Sequence, residues 1–388
     1  MLNALHVINS VDPKNGGTSV SVPSLMIATA DWGKYSNTLL EFADEAGEKV
    51  IGPRSWIHTH KRSPVGLVLN MLVGGEVDKE IRNADVVHIH GIWQPHCITC
   101  GVVARRRRKP VIASAHGMLE RWAIHNKAWK KWPYSQLVER PNLQRATILR
   151  ALTLAEVDDY RRYGLTNPIA VIPNGVDILD KVSPDQFLSL WPELRGRRLV
   201  LYLSRIHYKK GVDILVKAWA GTVKQFPDAH LVIAGPDFEG TRRVVEQLVR
   251  EYSIGGKVTF TGPVFGDQKA SLLSAASLFV LPSHSEGFSV AVLEALAAGI
   301  PAIITTGCNF PAVAASGSGW IISPNTDELE HALREALESN AADLHNRSQL
   351  GIELVRSNYS WRIIGKQMTE VYDWMLGGSR PSSVEIFD

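Results

Sequence analysis

What most constrains this chain is a rhythm of short, apolar, β-rich runs that alternate with helical stretches and break off once in the middle. Leu5–Ile8, Ala84–His90, Pro110–Ala115 and Ile148–Leu154 are such runs, with helical patterns such as Val20–Ala30 between them. The rhythm resumes at Arg198–Leu203, Ala229–Ala234, Lys257–Thr261, Leu278–Leu281 and Pro301–Thr305, separated by helical stretches at Val212–Phe226, Thr241–Tyr252 and Val290–Ala298. Strands that alternate with helices form parallel β-α units, with helices on both faces of the sheet. The interval 177–196, with Pro184, Pro192 and many polar residues, carries no such unit. The pattern predicts two doubly wound α/β domains, 1–180 and 197–360, with the amphipathic stretch 361–376 crossing back to the first. A chain of 388 residues is long enough for two such cores.

Several function classes drop out. There is no GxGxxG, GxxxxGK[ST] or HExxH, which argues against dehydrogenases, P-loop NTPases and zinc proteases. Cys97 and Cys100 spell a lone CxxC, and with Cys308 they are too few for a disulfide scaffold. They read as ordinary thiols, not as a redox or metal site. No apolar run approaches the ~20 residues of a membrane helix, and Met1–Gly17 lacks the pattern of a secretory leader, so a cytoplasmic protein is expected. Charge is uneven: residues 103–150 hold 12 Lys/Arg against Glu120 and Glu139. Together with Trp122, Trp129 and Trp132, this stretch suits an anionic membrane surface touched from the cytoplasmic face. A solvated helix face with buried aromatics accounts for it equally well. No nucleic-acid recognition motif accompanies the patch.

Open parallel sheets bind ligands beyond the C-terminal ends of their strands, so the strand-to-helix loops carry the candidate chemistry. The richest is Pro282–Gly299, where Glu286, Gly287 and the helix start near Ser289 follow a buried strand. A helix start exposes unpaired N–H groups and partial positive charge, suited to a phosphate or a sugar hydroxyl. Glu294 interrupts the apolar run of that helix, and a buried carboxylate needs a partner. The two acids can accept hydrogen bonds from two hydroxylated parts of one ligand. Arg205, Lys209, Lys210 and Gly211 follow the first strand of the second half, cations suited to a diphosphate. In the first half, Gly16 and Gly17 follow the first strand and permit close backbone approach, and His116 ends the strand Pro110–Ala115. Each has a plain structural alternative: a helix cap, a solvated basic loop, a turn, a packed histidine.

At these residues the sequence resembles the glycogen-synthase-like retaining glycosyltransferases of family four. The matching pieces are Gly16-Gly17, Asp85-Val-Val-His-Ile-His90, His116, Ile172-Pro-Asn-Gly-Val-Asp177, Arg205 with Lys210-Gly211, Phe260-Thr-Gly-Pro-Val264, and the E-x7-E pair Glu286 and Glu294. The resemblance implies the GT-B fold, two Rossmann-like domains facing across a cleft. It also implies a nucleotide-sugar donor (a UDP-sugar foremost), a saccharide or lipid-linked acceptor in polysaccharide assembly, retention at the anomeric carbon, and no metal or other cofactor. By the same resemblance Arg205 and Lys210 bind the diphosphate, and Glu294 takes the ribose hydroxyls. Glu286 holds the donor sugar and phosphate with the N–H groups of Phe288, Ser289 and Val290. Val264 meets the base through its backbone, Gly16 and Gly17 close over the phosphates, and His116 lies near the transferred sugar. One departure is Gly307–Val313, which lacks a glutamate that many relatives carry. The rival expectations are a sugar-nucleotide epimerase or hydrolase and a non-catalytic sugar-nucleotide-binding protein.

Overall fold

The structure, a computed structural model, describes residues 1–12, 17–43, 52–61, 63, 74–120, 132–178 and 182–388. The chain divides into two compact units. The first comprises Met1–Gly175 and Trp361–Asp388, the second Val176–Ser360.

In the first unit, strands β1 (Leu2–Ile8), β2 (Tyr35–Phe42), β3 (Ile57–His60), β4 (Val86–His90), β5 (Val111–Ser114), β6 (Ile148–Ala151), β7 (Ile169–Val171) and β14 (Glu385–Phe387) form one sheet in the order β14-β7-β6-β5-β4-β1-β2-β3. All neighbours are parallel except β14, which pairs antiparallel with β7 at the edge. β1, β4, β5 and β6 are the apolar runs of the sequence. β2 is not legible as one, because Ser36, Asn37, Thr38 and Glu41 interrupt it, yet Leu39, Leu40 and Phe42 are buried. The helix Trp361–Met375 packs on this unit through Ile364, Met368, Val371 and Tyr372. It sits so close to the helix Thr18–Ala30 that a Cβ at Gly365 would lie 2.4 Å from the Ala28 carbonyl oxygen.

In the second unit, β8 (Arg198–Leu203), β9 (Ala229–Ala234), β10 (Val258–Gly262), β11 (Ala276–Leu281), β12 (Ala302–Thr305) and β13 (Gly319–Ile322) form an all-parallel sheet in the order β10-β9-β8-β11-β12-β13. Its inner strands β9, β8, β11 and β12 are mostly apolar and buried, as a sheet covered on both faces requires, while the edge strands β10 and β13 are half-buried. The 177–196 interval, whose broken rhythm marked the domain boundary, belongs to this unit. Its short helix Asp185–Leu190 buries Phe187 in the same core as Leu194, Leu199 and Leu272, and the Phe187 N–H donates to Ser271 Oγ at 2.9 Å. One apolar residue in a short polar helix gives too weak a period to be read from sequence.

Each sheet starts with its first strand near the middle, builds outward to one side, then returns to place the fourth strand on the other. In the second unit that reversal falls between β8 and β11, and in the first between β1 and β4. Loops leaving such a pair of strands diverge and open a crevice at the sheet's C-terminal edge.

Candidate active site

At the reversal of the second sheet, Lys210 leaves β8 on one loop and Glu286 leaves β11 on the other. The first loop is shaped locally. Ile206 N–H donates to Pro236 O at 2.8 Å, tying the start of the loop to the one after β9. The His207 ring accepts from Lys209 N–H at 3.2 Å and caps the short turn Tyr208–Lys210. Gly211 then takes a left-handed conformation, φ +66°, to enter the helix Val212–Thr222. A Cβ there would lie 2.0 Å from the Pro282 carbonyl oxygen, so glycine is what lets the two loops touch. His284 N–H donating to Lys209 O at 2.9 Å joins them.

The ammonium of Lys210 thereby reaches both carboxylate oxygens of Glu286, each at 2.5 Å, and Ser283 Oγ donates to Glu286 Oε1 at 2.6 Å. Both side chains are largely buried, 12% and 8% exposed. The backbone of Glu286 is gripped as firmly: its N–H donates to Gly307 O at 2.8 Å, and its carbonyl accepts from Asn309 Nδ2 at 2.7 Å. Thr305 Oγ1 donates to Ser283 O. The segment that lacks the relatives' glutamate is thus a clamp on the Glu286 loop. These partners were not read from sequence, because Thr305, Gly307 and Asn309 carry no motif.

Beyond Glu286, Phe288 packs among Phe310 and Tyr359. Ser289 is the first boundary residue of the helix Val290–Ala297, but its side chain makes no capping bond. Glu294 differs from its expectation. It is not a deeply buried acid; its side chain is 21% exposed and pairs with Lys269 Nζ at 2.6 Å. Lys269 lies on the helix Gly266–Ala275 after β10, and nothing in the sequence pointed to it. Val264 is buried in the core at the loop after β10. Arg205 is exposed and turns toward the β9 loop, its guanidinium 5.2 Å from the centre of the Phe238 ring. The structure therefore brings Lys210 and Glu286 together, pairs Glu294 with a different cation, and leaves Arg205 outside both pairs.

In the first unit, Gly17 leads into the helix Thr18–Ala30, while Gly16 lies outside the described residues. His116 has φ +53°, an uncommon conformation for a non-glycine residue, followed by Gly117 at φ +76°. The turn is held by Glu156, whose two oxygens accept from Gly117 N–H and Leu152 N–H, both at 2.7 Å. Burial raises the Glu156 carboxyl to about 7. His116 Nε2 lies 3.1 Å from His90 Nδ1. Burial lowers His116 and His6 to about 3, and His88 and His90 well below the usual imidazole range. His6, His88 and His90 present ring nitrogens within 4.8 Å of one another. All six of those nitrogens already have hydrogen-bond partners, beside the buried Arg150, so a cation there would have to displace them.

The CxxC thiols lie buried on the helix Pro95–Arg106, and burial raises Cys100 to about 12 and Cys97 well above its usual value, disfavouring thiolate chemistry. The basic stretch is less uniform than its composition. Arg107 grips buried Asp78 through Nε at 2.7 Å and Nη2 at 2.8 Å. Arg150 is buried, donating to Ile172 O and Pro173 O. Trp132 and Leu137 are exposed, whereas Trp122, Trp129 and the cations of 121–131 lie outside the described residues. No helix among the described residues is long and apolar enough to cross a membrane.

Residues 191–351 match the family described as Glycosyl transferases group 1, and residues 37–178 match Glycosyltransferase Family 4. The chain belongs to the family-four glycosyltransferases. A GDP-mannose:cellobiosyl-diphosphopolyprenol alpha-mannosyltransferase of Xanthomonas oryzae pv. oryzae is 25% identical over 96% of this chain and 97% of its own length. A GDP-mannose-dependent monoacylated phosphatidylinositol monomannoside mannosyltransferase of Corynebacterium glutamicum is 26% identical over 75% of this chain and 77% of its own. Among solved structures, sucrose-phosphate synthase of Thermosynechococcus elongatus superposes with a TM-score of 0.75 at 20% identity, covering 98% of this chain and 100% of that one. Anabaena HepE with UDP and glucose superposes with a TM-score of 0.76 at 19% identity, covering 96% and 100%. The fold of this glycosyltransferase is GT-B.

Proposed function

We propose that this glycosyltransferase moves a hexose from a nucleoside diphosphate sugar to a saccharide or lipid-linked saccharide, with retention at the anomeric carbon and without a metal or other cofactor. The observation that carries the reading is the Lys210–Glu286 pair, largely buried at the sheet reversal beside a helix start that the Ser289 side chain leaves uncapped. Breaking a glycosyl phosphate leaves an oxocarbenium-like sugar and a diphosphate, so fixed positive charge on the leaving group is the main demand on the protein. In this reading Lys210 and Arg205 bind the diphosphate, with the N–H groups of Phe288, Ser289 and Val290 at the helix start. Glu286, oriented by Ser283 and Lys210, holds the donor sugar. Glu294, partly exposed, exchanges Lys269 for the ribose hydroxyls. Val264 meets the base, and in the first unit Gly17 and His116 are the residues assigned to the phosphates and to the transferred sugar. With no free carboxylate nucleophile proposed, the leaving phosphate takes the acceptor proton on the same face.

The two mannosyltransferases named above support GDP-mannose ahead of the UDP-sugar expected from sequence. Their lipid-linked and lipid acceptors, together with exposed Trp132 and Leu137, support contact with an anionic membrane from the cytoplasmic side. Purified protein should gain thermal stability from one of GDP-mannose, UDP-glucose or ADP-glucose. Only with a saccharide acceptor should it release the nucleotide diphosphate, and NMR should show retained anomeric configuration. Sugar release or epimerisation without acceptor would move the protein to the hydrolase or epimerase class. Near-normal turnover in both Lys210→Ala and Glu286→Gln would overturn the site assignment.

A further inference from the structure

A line of hydrogen-bonded side chains crosses the first sheet sideways. It begins at Asn37 on β2, passes His6 on β1 and His90 on β4, and ends at His116 just beyond β5, four neighbouring strands in sheet order. The steps are Asn37 Oδ1 to His6 Nε2 at 3.2 Å, His6 Nδ1 to His90 Nε2 at 2.9 Å, and His90 Nδ1 to His116 Nε2 at 3.1 Å. The strand register explains the geometry. Asn37 stands opposite Ala4, His6 opposite His88, and His90 opposite Ser114. Each step therefore crosses one strand and climbs two residues; on the strands this keeps Asn37, His6 and His90 on one face because side chains alternate, and His116 follows in its left-handed turn past Ser114. Two such climbs, from His6 to His90 to His116, carry the line to the C-terminal edge.

The line has a direction. Asn37 Nδ2 donates to Met26 O at 2.8 Å; a carbonyl only accepts, so the amide oxygen must face His6. His6 Nε2 then carries the proton. A neutral imidazole has one donor and one acceptor, so His6 Nδ1 accepts from His90 Nε2–H, and His90 Nδ1 accepts from His116 Nε2–H. Burial keeps all three rings neutral, with His6 and His116 lowered to about 3 and His90 well below the usual range. At the end stands His116 Nδ1, buried and without a hydrogen-bond partner among the described residues.

We propose that Asn37, His6 and His90 are positioning residues that lock His116 with its proton on Nε2 and an open lone pair on Nδ1, making it an acceptor for a hydroxyl of the bound ligand. The hydroxyl as partner rests on the glycosyltransfer reading above, whereas the tautomer does not. A catalytic histidine is oriented the same way when its second nitrogen is fixed by a partner. Here the fixed point is an amide three hydrogen bonds away.

Long-range proton–nitrogen NMR on the histidine-labelled, ligand-free full chain reads the tautomer directly. The expected spectrum shows His116 with Nε2 protonated and Nδ1 bare. His90→Leu cuts the line and should give a mixed or reversed His116 tautomer. His90→Gln retains a donor toward His6 and an acceptor toward His116, and should restore the wild-type signal. Turnover with donor and acceptor should fall roughly tenfold in His90→Leu and recover in His90→Gln, as expected for one lost hydrogen bond. A protonated Nδ1 in the wild type overturns the proposal even if His90→Leu fails to fold, as does an unchanged His116 tautomer in folded His90→Leu. The expected tautomers with no turnover of any nucleotide sugar would uphold the relay and refute the functional reading.

Discussion

The contact between Lys210 and Glu286 should behave as one energetic unit, and a double-mutant cycle measures whether it does. At 2.5 Å and an effective dielectric of about 20, the gross attraction is roughly 7 kcal/mol. Removing two ions from water costs several kcal/mol each, so most of that attraction is offset. What remains is asymmetric. Lys210→Met strands a carboxylate that is 8% exposed, with Ser283 still donating to it, and should cost about 3 kcal/mol. Glu286→Gln leaves the ammonium one amide oxygen as acceptor and should cost about 2 kcal/mol. The double variant holds two neutral groups and should cost about 2 kcal/mol, well under the sum, for a coupling near 3 kcal/mol. Urea unfolding, with calorimetry to separate the two units, is the assay. In a unit of this size the first variant should lower Tm by about 6–12 °C. A coupling below about 0.5 kcal/mol would mean a solvent-screened pair of the surface kind and would refute the argument that burial makes it a preorganised site.

Three further outcomes are expected. Gly211→Ala combines a φ of +66° with a Cβ 2.0 Å from Pro282 O, so it should cost at least about 2 kcal/mol and weaken nucleotide-sugar binding, read by unfolding and by titration; wild-type values for both would show that the two loops part freely. Glu156→Ala leaves Gly117 and Leu152 N–H groups without their acceptor and should cost about 2–3 kcal/mol in the first unit while slowing turnover; loss of neither means that the His116 turn is held by other contacts. Acidification should destabilise the first unit. His6, His88, His90 and His116 have depressed folded pKa values, so their contribution is present above pH 6.5 and lost as pH falls toward about 3, whereas Glu139 and Glu156, raised to about 7, lose theirs as pH rises from 4.5. Four groups outweigh two, giving a fall of about 2 kcal/mol between pH 6.5 and 5.5; a Tm that rises over this window would refute it.

How much of this was legible depended on whether a residue's role is written in its own neighbourhood. The strands β8, β9, β11 and β12 announce themselves because a sheet buried on both faces needs unbroken apolar runs. β2 does not, since Asn37 and Glu41 are polar for reasons that lie across the sheet, in His6 and in Val11 and Ser10. Glu286 and Lys210 could be read because each sits at a strand end beside glycine, but their contact could not: it depends on strand order, which periodicity leaves undetermined. Glu294 looked like a buried acid because its neighbours are apolar. On a helix, however, residues 293 and 295 face away from 294, and the side chain reaches Lys269 and solvent instead. Arg150 was counted as surface charge for the opposite reason: strand neighbours Ile148 and Ala151 leave a single arginine no visible destination, yet three acceptors wait for it at Ile172, Pro173 and Asn174.

The strand order of each sheet explains why polar chemistry concentrates where it does. A parallel sheet covered on both faces has little room for a charged or hydrogen-bonding side chain except where its loops diverge. The second sheet uses that opening in a minimal way, with one lysine, one glutamate and a glycine that lets their loops touch. The first sheet does something more demanding, since it carries imidazoles through its interior to reach the same kind of edge. Three buried rings are tolerated there because each nitrogen along the line has a partner, and a half-satisfied line would cost more than an apolar one. The exception among the described residues is the last nitrogen, His116 Nδ1. An unpaired acceptor at the end of an otherwise complete network is costly to keep, and a ligand hydroxyl is the group that would relieve it.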